Sequence, residues 1–334
     1  MAQRLDGNGA WRVGALAGLI ALAALSPAGA RAQEEVVKVG DIPLLSNAGL
    51  YIAVEKGYFR ERGIRSEVSL FVSSAKMVPA LTAGEIEVSL GTASAGLFNA
   101  IAQGAGFRVV ADKGQNRPGF GYTMLAVRKD LMDSGRVKNV KDLKGRKVAL
   151  FAKGIVLDYF LGKLAEEEGL GIKDFETTFL AAPNHLPALE SKAIDAALTV
   201  EPWGVQLEER GAAVRFRTAD QVKGTGSVQT GVIMYSDRFI RERRAVAQRW
   251  MDAYLKGCEY YAAKGAQDAE VLAIAEKYTK VPARVIRAAT PFYLDPTGRV
   301  NLKSLADQIR WYAANGYMTK EIGVDQVADL SFLK

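Results

Sequence analysis

Chemistry that needs an imidazole or a thiol has little to draw on in this sequence. One His (His185) and one Cys (Cys258) occur in 334 residues, which excludes a Cys/His zinc cluster, a disulfide framework and a CxxC redox pair. The run Gly91-Thr92-Ala93-Ser94-Ala95-Gly96 resembles a nucleophile elbow around Ser94, but the Gly that GxSxG requires at position 92 is Thr. His185 sits in Pro183-Asn184-His185-Leu186-Pro187, which reads as an exposed loop before a helix. Ser94 and His185 could form a hydrolytic pair only if a cleft closed and brought them together. Gly104-Ala105-Gly106 matches neither a P-loop nor a dinucleotide fingerprint, and Asp195 and Glu201 have no spacing that singles them out. Cys258 lies in an apolar stripe and reads as an inert buried thiol. No metal-ligand set and no cofactor motif emerges.

Short polar residues at the starts of helices offer more. The segments Leu44–Gly49, Gly91–Ser94 and Ala152–Ile155 each lead from a strand into a helix, where unpaired N–H groups and the helix dipole favour an anion. Ser46, Asn47, Thr92 and Ser94 add side-chain donors there, although each is also a good N-cap. Val200-Glu201-Pro202-Trp203 forms a fourth such loop. Trp203 reads either as an aromatic clamp in a cleft or as a core residue. Glu201 would repel an anion if it faced one; it could instead bind an amine or join a hydrogen-bond network at a hinge.

The elements that must position these loops alternate in period. Val36–Ile42, Glu67–Val72 and Glu87–Leu90 read as strands, and Gly49–Lys56, Lys76–Ala83 and a segment through Leu97, Phe98 and Ile101 as helices. Pro79 is tolerable in the second helix only near its first turn. This βαβαβα order implies a parallel sheet with right-handed crossovers. It recurs: Pro187-Ala188-Leu189 through Ile194-Asp195 echoes Pro79-Ala80-Leu81 through Ile86-Glu87 at an offset of 108, and Lys147-Val148 echoes Lys38-Val39 at 109. Two similar α/β lobes follow, each a mainly parallel sheet flanked by helices, with a cleft between them at the carboxyl ends of the strands. Gly/Pro-rich Gly114–Tyr122 and Gly224–Gly231 are the expected crossings, with Gly121 and Tyr122 on one hinge strand and Gln229 and Thr230 on the other. The expected division is 33–122 plus 231–334 for a discontinuous first lobe and 123–230 for an inserted second lobe. Ala247, Trp250, Met251, Tyr254, Leu255, Cys258, Tyr261 and Ala262 form one helical stripe, in a C-terminal block expected to pack back on the first lobe.

Residues 1–32 read as an address. Arg4 and Arg12 precede Val13–Leu25, an apolar run of 13 residues, shorter than the ~20 needed to span a bilayer core. Ala30-Arg31-Ala32 supplies a small-x-small cleavage pattern, which implies Sec export to a periplasm with cleavage near Ala32; an uncleaved anchor is the alternative. Removing these residues lowers the formal charge from +7 to about +5. The remaining charges alternate in sign, as in Arg60-Glu61-Arg62, and no basic stripe with interleaved aromatics marks a nucleic-acid surface.

Taken in order, Ser46–Leu50 with Glu55–Phe59, Ala80–Ile86, Gly91–Ser94, Asp142–Gly145, Asp195–Ala197 and Glu201–Trp203 resemble the periplasmic substrate-binding proteins of nitrate/sulfonate/taurine-type ABC importers, a class that includes relatives of the thiamine-pyrimidine synthesis enzyme. The resemblance covers nearly all of the chain after the address. It implies a two-lobed periplasmic-binding-protein fold (type II-like) that closes on a small ligand, with contacts at Ser46, Asn47, Thr92, Ser94, Gly154, Ile155, Glu201 and Trp203. It also implies a monomeric receptor that hands a sulfonate-, taurine- or carboxylate-like anion to an ABC permease and its ATPase subunit. The cysteine-rich motif and catalytic His of the pyrimidine synthases are missing, as is the acidic metal site of some bicarbonate-binding relatives. A receptor for a pyrimidine-like thiamine precursor, a ligand sensor and a hydrolase using Ser94 and His185 are the other readings.

Overall fold

The computed structural model describes residues 34–223 and 227–334, so the address expected over residues 1–32 lies outside the described residues. The first sheet is built from β1 (Glu35–Asp41), β2 (Ile64–Leu70), β3 (Val88–Thr92), β4 (Phe107–Asn116) and β10 (Val228–Ser236), in the order β2-β1-β3-β10-β4. The second contains β5 (Thr123–Arg128), β6 (Lys147–Leu150), β7 (Glu176–Phe179), β8 (Ala196–Val200) and β9 (Ala213–Thr218), in the order β7-β6-β8-β5-β9. Each is a parallel sheet interrupted by one opposed strand: β10 in the first and β5 in the second. The two orders are the same topology used twice.

The repeated residues have a physical role in both copies. Strands β3 and β8 begin and end 108 residues apart. The acid that closes each echo accepts a hydrogen bond from the first-strand lysine's backbone: Lys38 N–H donates to Glu87 at 3.0 Å, and Lys147 N–H to Asp195 at 3.1 Å. Each acid then pairs with an arginine, Glu87 with Arg243 and Asp195 with Arg128.

Helices cover both sheets. They are α1 (Ala48–Glu55), α2 (Tyr58–Glu61), α3 (Ser74–Thr82), α4 (Ala95–Ala102), α5 (Lys129–Asp133), α6 (Val156–Glu167), α7 (His185–Glu190) and α8 (Trp203–Glu209). A C-terminal series follows: α9 (Asp237–Glu242), α10 (Arg244–Lys264), α11 (Ala269–Thr279), α12 (Ala283–Ala288), α13 (Leu302–Ala314) and α14 (Val324–Val327). None of the described helices is long and apolar enough to cross a membrane. Pro79 lies inside α3 and not in its first turn; in a helix of nine residues its missing N–H removes a single bond. Ala262 is exposed, so the buried stripe of α10 ends at Tyr261.

Two corrections concern the connections. Gly114 is not in a linker but in β4, which runs through Asn116, and Gly231 lies within β10, where register shifts at both glycines bend the paired strands. Gln229 and Thr230 are therefore buried strand residues, while Gly121 and Tyr122 lie between β4 and β5. The C-terminal block also does not pack on the first sheet alone. Helix α13 contacts β10 and α4 but also α6, beside the second sheet. There Trp311 stands edge-on to Tyr159, donates to Glu166 at 2.9 Å and fills the space over Gly162, where an added Cβ would lie 2.1 Å from the indole. One apolar core, including Phe98, Leu305 and Trp311 with Leu157 and Phe160, runs continuously behind the cleft.

A candidate ligand-binding cleft

A cavity of about 560 Å³ opens between the two sheets. Seven of the eight expected contact residues line it: Ser46, Thr92, Ser94, Gly154, Ile155, Glu201 and Trp203. They arrive there because both sheets turn their strand ends to the same gap. Ser94 and Ile155 face each other across it as a backbone bridge, and Ala95 N–H donates to the Gly154 carbonyl at 2.8 Å.

Asn47 is the exception. It is fully buried behind the wall and does not line the cavity. Its amide Nδ2 donates to Asp41 and to the Ile42 carbonyl, and its Oδ1 accepts from Lys113 Nζ at 2.8 Å. Tyr51 completes this cluster by donating to Asp41 at 3.0 Å.

The helix ends are also less open than their sequence suggests. Gly154 and Ile155 N–H both donate to Asp158, at 3.0 and 3.1 Å, so the protein's own carboxylate occupies the start of α6. Burial pushes Asp158 up to about 6, against the lowering effect of Tyr317 and these N–H donors. Ser94 caps α4 by accepting from Leu97 N–H, and Thr92 N–H donates to Ser74. The Glu201 charge is met by Arg215 at 2.9 Å and by the Thr290 and Val205 N–H groups. Burial nevertheless raises its pKa, with Arg215 opposing. Trp203 is half-buried and lines the cavity.

The residue missed by sequence reading is Lys113. It is fully buried, lines the cavity and directs Nζ toward Asn47 and, at 3.5 Å, Ser46. Burial lowers its pKa to about 8, while Asp41 and Asp112 hold it up, so the amine is charged at neutral pH. The available signal was a charged pair, Asp112-Lys113, inside an apolar strand. Asp112 is itself pushed up to about 6 by burial and accepts from Gln229, Gly114 and Asp295.

His185 corrects another expectation. It is completely buried at the start of α7, not exposed in a loop. Its Nε2 lies 3.0 Å from the Leu180 carbonyl, its ring meets Phe151, and it is not among the residues lining the cavity. Ser94 lines the cavity and His185 does not, so the two are not brought together as a hydrolytic pair. Desolvation lowers the His185 pKa from 6.5 to about 4. The unfolded chain then binds a proton that the native state refuses between these values, and stability falls with pH across that window. Wild type should lose urea resistance relative to a His185→Gln variant as pH drops from 6.5 to 4. Parallel midpoints across that range would show the ring is not buried.

Among the described residues no group of three or more His, Cys, Asp or Glu is placed to hold a metal ion. A family model described as NMT1/THI5 like matches residues 45–267. No curated protein matches the chain. Among solved structures, the chain is similar to the alkanesulfonate-binding protein SsuA from Xanthomonas axonopodis pv. citri bound to MOPS: TM-score 0.71 at 19% identity, covering 89% of this chain and 99% of that one. The periplasmic nitrate-binding protein NrtA from Synechocystis PCC 6803 gives TM-score 0.68 at 17% identity, covering 90% and 87%. The desulfurization enzyme DSZB gives 0.63 at 16%, covering 90% and 97%. At these identities the likeness is one of fold.

Proposed function

The chain belongs to the NMT1/THI5-like family, and from that premise we propose that it is a periplasmic, non-catalytic receptor for a small organic anion. It delivers this ligand to an ABC permease and its ATPase subunit. The observation that carries the reading is a charged, buried amine, Lys113, at the wall of a mainly apolar cavity between two sheets. An anion there gains a charge-assisted hydrogen bond in a setting of low dielectric. Ser46 supplies a hydroxyl beside Lys113, and Trp203 also lines the cavity. Under this reading the described residues of 33–122 with 231–334 form one lobe and those of 123–230 the other, except that 228–230, as the start of β10, go with the first lobe. Gly121, Tyr122, Gln229 and Thr230 carry the hinge, and ligand contact with both lobes favours the closed state.

The similarity to DSZB makes an enzyme the second class to test. The positions of Ser94 and His185 weigh against a hydrolase here. Thermal denaturation with sulfonates, taurine, carboxylates, nitrate and pyrimidines separates the readings, because a ligand at 100 times its Kd stabilises the folded state by about 2.7 kcal/mol. A receptor should show a shift with at least one anion, undiminished in His185→Ala. Absence of any anion-dependent shift, or stabilisation by pyrimidines alone, would remove the anion-receptor reading.

A further inference from the structure

The cavity extends past the interface between the two sheets. Val72, 88% exposed, and the exposed Lys153 belong to its solvent-open lining. Another part of its lining comes from the C-terminal helices: Tyr261 of α10, Val271 and Ala275 of α11, Ile286 of α12, and Ala289 and Phe292 after it. Each of these six is less than a tenth exposed, and none carries a charge. The Tyr261 hydroxyl is directed to the Phe292 carbonyl, and the two rings stack at 5.0 Å. One part of the lining is therefore open to solvent, and the other is a buried, uncharged chamber.

The chamber adjoins the Lys113 amine. A Cβ built on Gly114, the next residue, would stand 3.2 Å from Ser46 Cβ and 3.7 Å from Phe292. The head-group seat and the first ring of the chamber are thus neighbours on one wall. Trp203, which also lines the cavity, has no ring partner among the described residues.

We propose that this chamber is a subsite for the apolar body of the ligand, so that the receptor takes hydrophobic anions and discriminates against small hydrophilic ones. The acidic head sits against Lys113 and Ser46, and a ring or a chain of about six carbons enters the chamber. An apolar cavity of about 150 Å³ already accepts benzene, so a nitrate- or taurine-sized ligand would leave most of the 560 Å³ without contacts. Within the chamber, water would find few of the two to four polar partners it needs.

This inference rests on the receptor reading, and one titration series separates the two. Calorimetry on the purified protein with n-alkanesulfonates from methyl to octyl should show affinity rising about fourfold per added methylene until the chamber is full. Benzene- and naphthalenesulfonate form a second arm, and n-alkylcarboxylates of the same lengths a third. A gain in the chain arm only, or in the ring arm only, identifies which apolar body is used. Ala275→Phe, which fills the chamber, should flatten the series while leaving methanesulfonate within about twofold; Ala289→Leu repeats the test with less added bulk. Affinity independent of apolar size in wild type would overturn the chamber and leave the receptor intact. Failure of every anion to bind would overturn the receptor itself.

Discussion

Lys113→Met should weaken binding of an anionic ligand about a hundredfold, and should do so through charge and not through loss of the fold. A hydrogen bond to a charged partner contributes about 1.5–3 kcal/mol, and 2.7 kcal/mol corresponds to a hundredfold change. The same substitution leaves Asp41 buried without its cation, which destabilises a protein by about 3–5 kcal/mol. A paired change, Lys113→Met with Asp41→Asn, removes both charges while keeping the amide and phenol contacts of Asn47 and Tyr51 available. It should recover most of the thermal stability and none of the affinity. Recovery of anion binding in the paired variant would show that Lys113 serves the fold alone.

The lowered Lys113 pKa adds a pH signature. The charged amine predominates below about pH 8 and is lost as pH rises through it. Anion affinity should accordingly be flat between pH 6 and 7 and fall about tenfold per pH unit well above 8. Calorimetry from pH 6 to 9.5 would reveal this. An affinity unchanged at pH 9.5 would place the ligand's charge elsewhere.

The second large effect lies in packing beneath the site. Gly257→Ala should destabilise the protein by about 2–3 kcal/mol, although Gly→Ala in a helix interior ordinarily stabilises by about 1 kcal/mol. The reason is the crossing of α1 and α10. A Cβ on Gly257 would stand 2.1 Å from the Gly49 carbonyl oxygen and 3.2 Å from Ala53 Cβ. The obstacle is backbone, which cannot rotate away. Helix α1 follows directly on the turn Leu45–Asn47, so displacing it moves Ser46 and the amide that holds Lys113. A fall in Tm of about 5–10 °C is expected in a melting curve, from about 2–4 °C per kcal/mol for larger domains. An unchanged or raised Tm would show that the two helices are further apart than described.

How much of this could be read from residues alone depended on range. The doubled βαβ order was legible because strand and helix periods are local, and because the echoed Pro, Leu and closing acid occupy equivalent places in both sheets. The acid was visible as a pattern, but its partner was not: the bond from Lys38 to Glu87 spans 49 residues. Strands β4 and β9 are not marked by such a period. Strand β4 includes Asp112, Lys113 and Gly114, and its interior polarity hides it from a period-2 reading. Seven of the eight expected contacts were placed at the cavity because loops at strand ends must face the gap in such sheets. Asn47 falls behind the wall because one residue along the 3₁₀ turn Leu45–Asn47 rotates a side chain by about 120°, from the gap into the protein.

By itself, the sequence determined the class of fold, the repetition within it, the loops that meet at the cleft and the scarcity of imidazole and thiol chemistry. All of these follow from local period and composition. The tertiary structure decided which charges are free to act. It closed the α6 end with Asp158, matched Glu201 with Arg215 and buried His185 away from Ser94. It also brought Lys113 against Ser46, 67 residues earlier in the chain, beside a chamber built from the C-terminal helices. Burial and the approach of distant segments set the energy of a charge, and neither is encoded in the spacing of nearby residues.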